Sequence, residues 1–328
     1  MQYKSALNLL DTEIAIKFIK DSFEKELAKN LKLTRVSAPL FVQPETGLND
    51  NLNGYERAVR FDVLTLHKDV EIVQSLAKWK RMALAKYGFV EGTGLYTDMN
   101  AIRRDEDLDA IHSVYVDQWD WEKIITAQDR KISYLKKTVR SIYKALLKVS
   151  AMVNKKYPIL KHDLPAEITF VSTKQLEKDY PNLSRKDREK EIAKKHGAVF
   201  IYQIGWPLSD KKPHDGRAAD YDDWKLNGDM LLWYDVLGIA LEISSMGIRV
   251  NSDSLVKQLK KKNELDKLSN PYCKGIVDGV LPLTIGGGIG QSRLCMFFLN
   301  KAHIGEVQAS VWSDECIEQN AKQGIHLL

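Results

Sequence analysis

The feature that most constrains this chain is a glycine-rich run that leads directly into an apolar segment. Four glycines lie within positions 286–290, and Arg293 and the apolar stretch 294–299 follow at once. Because glycine has no Cβ, such a run lets a backbone lie flat against a ligand and adopt torsion angles that other residues avoid. The run therefore predicts either a nucleotide-binding strand or a tight strand-to-helix turn, and the glycines alone favour neither.

The common glycine-rich phosphate loops do not fit this run. No Lys-Ser or Lys-Thr pair follows the last glycine. There is also no strand-helix-strand unit with an acidic residue ~20 positions further on, so the P-loop and dinucleotide folds are both excluded. An arginine follows instead, and a guanidinium at the start of a buried helix can stack on an aromatic ring while its charge faces phosphate. The alternative is an ordinary surface arginine.

Composition narrows the class of protein. A chain of 328 residues that is 44% hydrophobic can build a large core, in one large domain or two small ones. Its apolar runs fall far short of the ~20 residues that cross a bilayer, and no signal-peptide core opens it, so we expect a cytoplasmic protein without membrane contact. The net charge of +5 is small, and lysines alternate with acids, which favours solvated helix faces over a nucleic-acid footprint. Three well-separated cysteines predict reduced thiols.

The spacing of apolar residues predicts helices and strands in mixed order. A helix capped by Thr12 opens the chain, and a short strand then runs into Pro39, which is typical of a sheet edge or a subunit contact. Residues 50–54 form a polar loop that either connects elements or closes over a ligand. The predicted helices cover 12–30 and 129–153, and a strand end passes into a further helix over 72–82. The predicted strands cover 31–41, 59–66, 94–103 and 111–122, a β-hairpin covers 226–250, and residues 156–200 are scaffold.

The strand over 111–122 places polar groups on one face. Side chains alternate in a strand, so Gln118, Asp120 and Glu122 point one way while Trp119 and Trp121 point the other. Three polar groups aimed together inside a tryptophan-rich strand cost free energy unless something pairs with them. Ligand binding is the favoured explanation, and a buried structural network is the alternative. The loop over 206–224 is dense in ionisable groups and predicts substrate or metal contact.

The predicted hairpin brings two acids together. If its strands pair about a turn near Asp235, Asp229 lies opposite Glu242, with the two Cβ atoms roughly 5 Å apart. Two carboxylates this close repel unless a cation lies between them, and hard oxygen ligands suggest Mg²⁺. The alternatives are a pair in which one carboxyl is protonated, a pair in which each acid meets an Arg or Lys, and Asp235 as the metal ligand instead.

Three stretches resemble the motifs of class II aminoacyl-tRNA synthetase catalytic domains. Residues 33–41, with their proline, resemble the dimer-forming first motif, 101–122 the strand-loop-strand second motif, and 286–299 the third. Residues 75–81, 114–122 and 242–250 resemble the aspartate-ammonia ligases, the type A asparagine synthetases, specifically. The resemblance implies an α+β fold with a central, mostly antiparallel sheet flanked by helices. It also implies that residues 1–328 form a single catalytic domain without an anticodon-binding domain, and that the protein is a homodimer.

The resemblance implies how ATP and Mg²⁺ are held. Arg103 would hold the α-phosphate, and Arg293 would stack on adenine. Val116 stands where many members of the family have an aromatic residue against adenine, which would leave Arg293 as the main stacking partner. The glycines implied to line the nucleotide are Gly286, Gly288 and Gly290, and the implied Mg²⁺ ligands are Asp229 and Glu242.

The resemblance also implies how L-aspartate is held. The side chains that would receive its α-ammonium and α-carboxylate are Ser75, Gln118 and Asp120. Those that would hold its β-carboxylate are Lys80 and Arg249, and the substrate site would be completed by Asp222 and Ser245. Asp50 would lie in a loop that closes over the amino acid and would help to place ammonia.

The implied reaction has two steps and uses L-aspartate, ATP and ammonia, with no transfer RNA or other nucleic acid as a partner. The β-carboxylate attacks the α-phosphorus of ATP, and ammonia then displaces AMP from the adenylate. One alternative is a transferase that charges a transfer RNA with the help of a partner. Another is a regulatory dimer that binds ligand without catalysis, but the presence of Arg103, Arg293, Asp229 and Glu242 argues against it.

Overall fold

The computed structural model describes residues 3–50, 52 and 56–328, and within them a large mixed sheet carries helices on both faces. The strands are β1 (Leu33–Arg35), β2 (Phe41–Val42), β3 (Arg60–Val63), β4 (Lys68–Ile72), β5 (Gly94–Ile102), β6 (Tyr115–Ile124), β7 (Thr169–Ser172), β8 (Ala198–Tyr202), β9 (Asp222–Tyr234), β10 (Ile239–Arg249) and β11 (Thr284–Gly290). The α-helices are α1 (Leu9–Leu31), α2 (Ala77–Lys86), α3 (Ile132–Lys156), α4 (Thr173–Asp179), α5 (Arg185–His196), α6 (Ser252–Lys262), α7 (Pro271–Val277), α8 (Gln291–Phe298) and α9 (Asp314–Lys322). Short 3₁₀ turns lie at Pro44–Thr46, Ala127–Asp129, Leu265–Ser269 and Ile304–Glu306.

The large sheet has the strand order β1-β5-β6-β11-β10-β9-β8-β7, and a small sheet has the order β2-β4-β3. Only the two outermost pairs of the large sheet, β1 with β5 and β7 with β8, are parallel. The other neighbours pair antiparallel. The predicted α+β fold, with a mostly antiparallel central sheet flanked by helices, is confirmed.

One face of the large sheet is closed by α1, α3 and α8. Trp119 and Trp121 point to this face and are fully buried, and the Trp119 ring centroid lies 4.9 Å from that of Phe23 in α1. The alternation predicted for this strand is therefore confirmed. The opposite face carries the polar side chains of β6, and part of it is left uncovered for a cleft.

The first helix starts one turn earlier than the sequence predicts. Its N-cap is Asn8, whose Oδ1 accepts a hydrogen bond from the Asp11 amide at 2.8 Å. The prediction that Thr12 caps the helix is wrong, because asparagine is an equally good cap and comes first. Thr12 is instead buried in the first turn, where its hydroxyl donates to the Asn8 carbonyl oxygen at 2.7 Å.

The strand predicted over 31–41 is two short strands in different sheets. β1 ends at Arg35 and pairs with β5, whereas Phe41 and Val42 pair with β4 in the small sheet. Pro39 lies in the link between them. Since proline lacks the N–H that a sheet ladder needs, the chain leaves the large sheet before it reaches Pro39.

The hairpin of β9 and β10 forms, but the register predicted for it is wrong. Glu242 lies opposite Leu231 and Ser245 lies opposite Asp229, with a β-bulge between Glu242 and Ser244. The turn over 235–238 lies one residue later in the chain than predicted, and the bulge shifts the register once more. Because Leu231 and Asp229 share one face of β9, the bulge also puts Glu242 and Ser245 on that same face.

The described part of the chain contains no helix with the length and apolar content that a membrane crossing requires.

Candidate active site

A cleft of about 400 Å³ lies on the sheet face opposite the two tryptophans. Its floor is formed by β6, β11 and β10, and its walls come from α2, from the loop after β5 and from the segment before β9. Of the fifteen residues to which the resemblance assigns a role in the site, thirteen line this cleft: Asp50, Ser75, Lys80, Arg103, Gln118, Asp120, Asp222, Glu242, Ser245, Arg249, Gly288, Gly290 and Arg293. The other two, Gly286 and Asp229, do not line it.

Arg103 and Arg293 line the same cleft, although 190 positions separate them in the chain. Arg103 comes directly after β5, where its amide donates to the Val114 carbonyl oxygen at 2.9 Å. Arg293 lies in the first turn of α8, and its Nη1 donates to the Glu242 carbonyl oxygen at 3.1 Å. The convergence on which the sequence interpretation depends is therefore present.

Strand pairing arranges the floor of the cleft in rows. Gln118 lies opposite Gly290 in the first row and Asp120 lies opposite Gly288 in the second. In the third row Glu122 lies opposite Gly286. Successive rows are about 7 Å apart, since a strand rises about 3.3 Å per residue. Arg103 lies beyond the first row, and the Arg249 guanidinium reaches Glu122 in the third, so we refer to the Arg103 end and the Arg249 end of the cleft.

The glycines of the run make room for polar side chains of the neighbouring strand. A Cβ on Gly288 would overlap Gln118 Oε1 and lie 2.8 Å from Asp120 Oδ1, and a Cβ on Gly286 would overlap the Glu122 carboxylate. None of the glycines at 286–290 has a positive φ. They are needed here for space rather than for an unusual backbone torsion angle.

Lys80 is a buried cation at the Arg249 end. It is 1% exposed, and its Nζ donates to Asp120 Oδ1 and to the Gly287 carbonyl oxygen, both at 2.9 Å. Burial lowers the pKa of Lys80, although the Asp120 carboxylate acts in the opposite direction. Asp120 Oδ2 has no hydrogen-bond partner among the described residues. A ligand ammonium could therefore bind there.

Arg249 is held between two buried acids. Its Nε and Nη2 donate to the Glu122 carboxylate at 3.0 and 2.8 Å, and its Nη1 donates to Asp222 Oδ1 at 2.5 Å. Burial opposes its charge, but Glu122 and Asp222 keep the pKa of Arg249 well above its usual value. Burial also raises the pKa of Asp222, against the pull of Arg249. For Glu122, the alternative of a buried structural network is therefore the one found, because its carboxylate holds Arg249.

The acid pair predicted to hold Mg²⁺ is close together but already has a cation. Arg217 Nη2 lies 2.5 Å from Asp229 Oδ2, and Arg217 Nη1 lies 2.9 Å from Asp215 Oδ2. For Asp229, the alternative in which the acid meets an arginine is therefore the one found. Burial raises the pKa of Asp229 to about 7, with repulsion from Glu242 adding to it and Arg217 opposing it. The sequence marked the loop around Arg217 as ionisable but did not single out this residue.

The oxygens at Asp229 and Glu242 still fit a magnesium ion. Asp229 Oδ1 is buried and has no hydrogen-bond partner among the described residues, and Glu242 lines the cleft. No set of three acidic, His or Cys side chains forms a metal-binding group within those residues. Mg²⁺ often keeps only one or two protein carboxylates and takes its remaining ligands from phosphate and water. Asp235, the rival ligand, is exposed in the hairpin turn, and its Oδ1 accepts from Trp233 Nε1 at 2.6 Å.

Donor and acceptor groups without partners line the cleft. Arg103 Nε has no hydrogen-bond partner in the described part of the chain, and Arg103 Nη1 lies 3.7 Å from Glu106 Oε2. Asp50 is 2% exposed, and its Oδ2 lacks a partner in the same way. Of the polar loop predicted over 50–54, Asn51, Asn53 and Gly54 lie outside the described residues. Ser75 lies just before α2, where its Oγ accepts from the Ala77 amide at 3.1 Å.

A family model for aspartate-ammonia ligase matches residues 10–324. The chain is 58% identical over 325 residues to the aspartate-ammonia ligases of Bacillus cereus (strain B4264) and Bacillus mycoides (strain KBAB4), with 99% of this chain and 99% of each relative covered.

Solved structures of asparaginyl-tRNA synthetases have a similar fold. The enzyme of Pyrococcus horikoshii, complexed with asparaginyl-adenylate, matches with a TM-score of 0.68 and 15% identity over 92% of this chain and 70% of its own. That of Entamoeba histolytica, in complex with asparaginyl-adenylate, matches with a TM-score of 0.65 and 15% identity, and this chain spans 66% of its length. Identities this low show a shared fold only.

Proposed function

This chain belongs to the aspartate-ammonia ligase family and is a ligase for ATP-dependent asparagine synthesis, and we propose that its cleft works through a β-aspartyl adenylate. The observation that carries this proposal is the order of charges along the cleft. The Arg103 guanidinium, with an unfilled donor, lies at one end together with Arg293, and the buried Lys80 and Arg249 lie at the other. One cleft could thus hold a triphosphate and a dicarboxylate end to end.

ATP would occupy the Arg103 end. Arg103 would hold the α-phosphate and Arg293 would stack on adenine, while Gly288 and Gly290 let the nucleotide approach the floor. A guanidinium forms paired, charge-assisted hydrogen bonds to phosphate. Removing one donor that meets charge in the transition state typically costs about 10²- to 10³-fold in rate.

Asp229 and Glu242 would hold Mg²⁺ at the phosphates. A bound Mg²⁺ would neutralise phosphate charge and help to fix the orientation of the triphosphate. Arg217 pairs with Asp229 and lines the same cleft, so it would add a further positive charge beside the phosphates. Support comes from the unpartnered Asp229 Oδ1 and the repulsion between the two acids.

Aspartate would occupy the Arg249 end, with its α-ammonium at Asp120 near Gln118 and Ser75. Asp222 and Ser245 would complete this site. The resemblance assigns the β-carboxylate to Lys80 and Arg249. The order of the rows favours the reverse placement, because the carboxylate that reacts has to lie towards Arg103, where the α-phosphate would be held. We therefore propose that Lys80 and Arg249 hold the α-carboxylate.

The chemistry then follows in two steps. An oxygen of the β-carboxylate attacks the α-phosphorus and pyrophosphate leaves. Ammonia next attacks the β-carbonyl carbon, the bond to the AMP oxygen breaks, and asparagine and AMP are released. Arg103 stabilises the charge that builds on the α-phosphate, and Lys80 and Arg249 keep the other carboxylate from reacting.

Residues 1–328 would act as a single catalytic domain in a homodimer that forms through the segment 33–41. The enzyme would be cytoplasmic. It would use ammonia and no transfer RNA, since ammonia supplies the nitrogen directly.

The test is an assay of the purified protein with aspartate, ATP, Mg²⁺ and ammonium. We expect asparagine, AMP and pyrophosphate in equal amounts, with no effect of added transfer RNA. Release of ADP and phosphate would overturn the adenylate route. RNA-dependent incorporation of aspartate would favour the transferase that the fold also permits.

A further inference from the structure

A buried polar network lies where the floor of the cleft ends. Asp117 and Ser292 come just beyond the first row of the floor, and both line the cleft. Gln308, which follows the 3₁₀ turn Ile304–Glu306, lines it as well. The three side chains are buried, with exposed fractions of 6%, 2% and 5%. The network therefore belongs to the Arg103 end, where ATP would bind.

The amide nitrogen of Gln308 donates into this network. Gln308 Nε2 donates to Asp117 Oδ1 at 3.3 Å and to Ser292 Oγ at 3.0 Å. Asp117 Oδ1 also accepts from the Ser292 amide at 3.0 Å, and Asp117 Oδ2 accepts from Lys20 Nζ of α1 at 3.0 Å. Because a carboxylate paired with a lysine can only accept, it fixes the Gln308 amide with the nitrogen towards Asp117 and the oxygen away from it.

This orientation leaves the amide oxygen of Gln308 without a donor. Oε1 is buried and has no hydrogen-bond partner among the described residues. A buried amide oxygen in this state is costly, because it has given up its water and gained nothing in return. Since Gln308 lines the cleft, a ligand bound there can supply the missing donor.

Adenine would lie against the same part of the cleft. Arg293, which would stack on the base, is the next residue after Ser292 in α8. The free ring nitrogens of adenine are acceptors, and the 6-amino group is its only N–H donor. An acceptor at this end of the cleft can therefore pair with the base only through that amino group. The ribose hydroxyls are the other donors of the nucleoside.

Building on the proposed placement of ATP, we infer that Gln308 determines the base specificity of this enzyme, with its Oε1 accepting a hydrogen bond from the 6-amino group of adenine. Asp117 is then a positioning residue, because it keeps the amide from turning its nitrogen towards the base. Guanine and hypoxanthine carry an oxo group at the same position, so two acceptors would face each other. Pairing with the amino group and repulsion of the oxo group together select ATP.

Purine riboside triphosphate, which is ATP without the 6-amino group, tests the contact directly. Isothermal titration calorimetry with Mg²⁺ and without aspartate gives the affinities of both nucleotides. We expect wild type to bind ATP about tenfold more tightly, because the analogue leaves Gln308 Oε1 buried without a donor. Gln308→Met keeps the length of the side chain but offers only a weak acceptor, so this preference should fall to about twofold or less.

Gln291→Met is the matched control. Gln291 begins α8 and is also buried, and its Nε2 donates to Asp98 Oδ1 at 2.9 Å, but it does not line the cleft. This variant should keep the wild-type preference for ATP. A Gln308→Met variant that keeps the full preference would refute the inference. A variant that binds both nucleotides more weakly by the same factor would refute it too, because the contact would then involve ribose or packing rather than the amino group.

Wild type alone gives a second test, which does not depend on how well a variant folds. Inosine triphosphate carries the 6-oxo group, so it should bind more weakly than purine riboside triphosphate. Inosine triphosphate that binds as tightly as ATP would rule out the assigned role of Gln308.

Aspartate-dependent exchange of pyrophosphate into ATP separates this inference from the proposed function. The calorimetric preference needs neither aspartate nor an adenylate, whereas exchange needs both. Wild type and Gln291→Met should exchange equally. If wild type shows the expected preference for ATP but no exchange, the adenylate is contradicted and the contact of Gln308 with the base is supported.

Discussion

Lys80 and Arg249 are already paired with acids in the free protein, and this pairing decides how they can be tested. Removing either charge would leave Asp120, or Glu122 and Asp222, buried without a partner. Breaking a buried ion pair in this way typically costs about 3–5 kcal/mol of folding free energy. Substitutions that keep the charge are therefore the informative ones.

Arg249→Lys keeps the charge and loses the fork of donors that grips a carboxylate. We expect the KM for aspartate to rise about 10- to 100-fold, with little change in the KM for ATP. Inhibition constants show which carboxylate is held. The variant should bind L-alanine, which keeps only the α-carboxylate, more weakly than wild type does, and should bind β-alanine, which keeps only the other carboxylate, as before.

The reverse pattern would place the β-carboxylate on Arg249, as the resemblance implies. Arg81→Lys is the matched control. Arg81 is also a buried arginine, but it donates to the Pro282 and Val250 carbonyl oxygens and does not line the cleft.

The buried Lys80 predicts that kcat/KM for aspartate depends on pH. Only the charged lysine attracts a carboxylate, and burial lowers the pKa of Lys80 below its ordinary value of 10.5. Since the charge is lost as pH rises through that lowered pKa, kcat/KM for aspartate should fall at alkaline pH before an exposed lysine would titrate. The same profile measured for ATP should lack this fall. A kcat/KM for aspartate that stays flat to about pH 10.5 would contradict the role of Lys80.

For single residues, the sequence predicted the direction of side chains well where the strand pattern was simple. Alternation alone placed Gln118, Asp120 and Glu122 on one face. It could not predict that Arg217 pairs with Asp229, because that contact joins a loop to a strand through tertiary packing. The ionisable density of the loop was the one available signal, and it does not single out a residue.

Among the secondary-structure elements, the hairpin of β9 and β10 shows that a sequence pattern can identify strands without giving their register. Both strands were recognised, but their register depends on the turn and on a bulge, and neither leaves a clear mark in the sequence. The predicted pairing of Asp229 with Glu242 was therefore wrong in register. The bulge nevertheless turns Glu242 to the same face as Asp229, so the two charges still interact.

The glycine-rich strand β11 predicts how a single added methyl group affects aspartate binding. Gly288→Ala adds a methyl group that meets Gln118 and Asp120 on β6, so these side chains have to shift. We expect the KM for aspartate to rise about tenfold or more, because misplaced polar groups lose their hydrogen bonds to the substrate. Steady-state kinetics would show this.

Gly275→Ala, in helix α7, is the control for this change. Its added methyl group would meet only Leu281, at 3.1 Å, and it should leave the KM for aspartate unchanged. A Gly288→Ala variant with the same KM for aspartate as wild type would show that Gln118 and Asp120 do not contact the amino acid.

For the whole molecule, the exposed apolar side chains near the first motif predict a homodimer. Leu40, Phe41 and Phe61 are 49%, 43% and 39% exposed, and the rings of Phe41 and Phe61 meet with centroids 5.4 Å apart. Such clustered exposure marks an interaction surface. Phe41→Asp should convert the dimer to a monomer in sedimentation velocity, whereas Val311→Asp, at another exposed apolar site, should not. A dimer that persists in Phe41→Asp would place the interface elsewhere.

The fold as a whole was accessible from the sequence because three separated motifs fit one architecture. The glycine run, the polar strand and the acid-bearing hairpin are neighbouring strands of the large sheet, in the order β6-β11-β10-β9. A further cavity of about 290 Å³, which shares Asp50 and Ala218 with the cleft, could not be predicted, since its walls come from β4, α2, α6 and the loops around residues 50 and 218. No local pattern relates these segments.

If the adenylate forms, the β-carboxylate of aspartate becomes bonded to the α-phosphorus of ATP. Aspartate labelled with ¹⁸O in that carboxylate tests it directly, with the released nucleotide and phosphates examined by mass spectrometry. The adenylate route predicts that one labelled oxygen appears in the phosphate of AMP for each asparagine formed. Two results would contradict it: ADP released together with labelled inorganic phosphate, or AMP without label while the labelled oxygen appears in water.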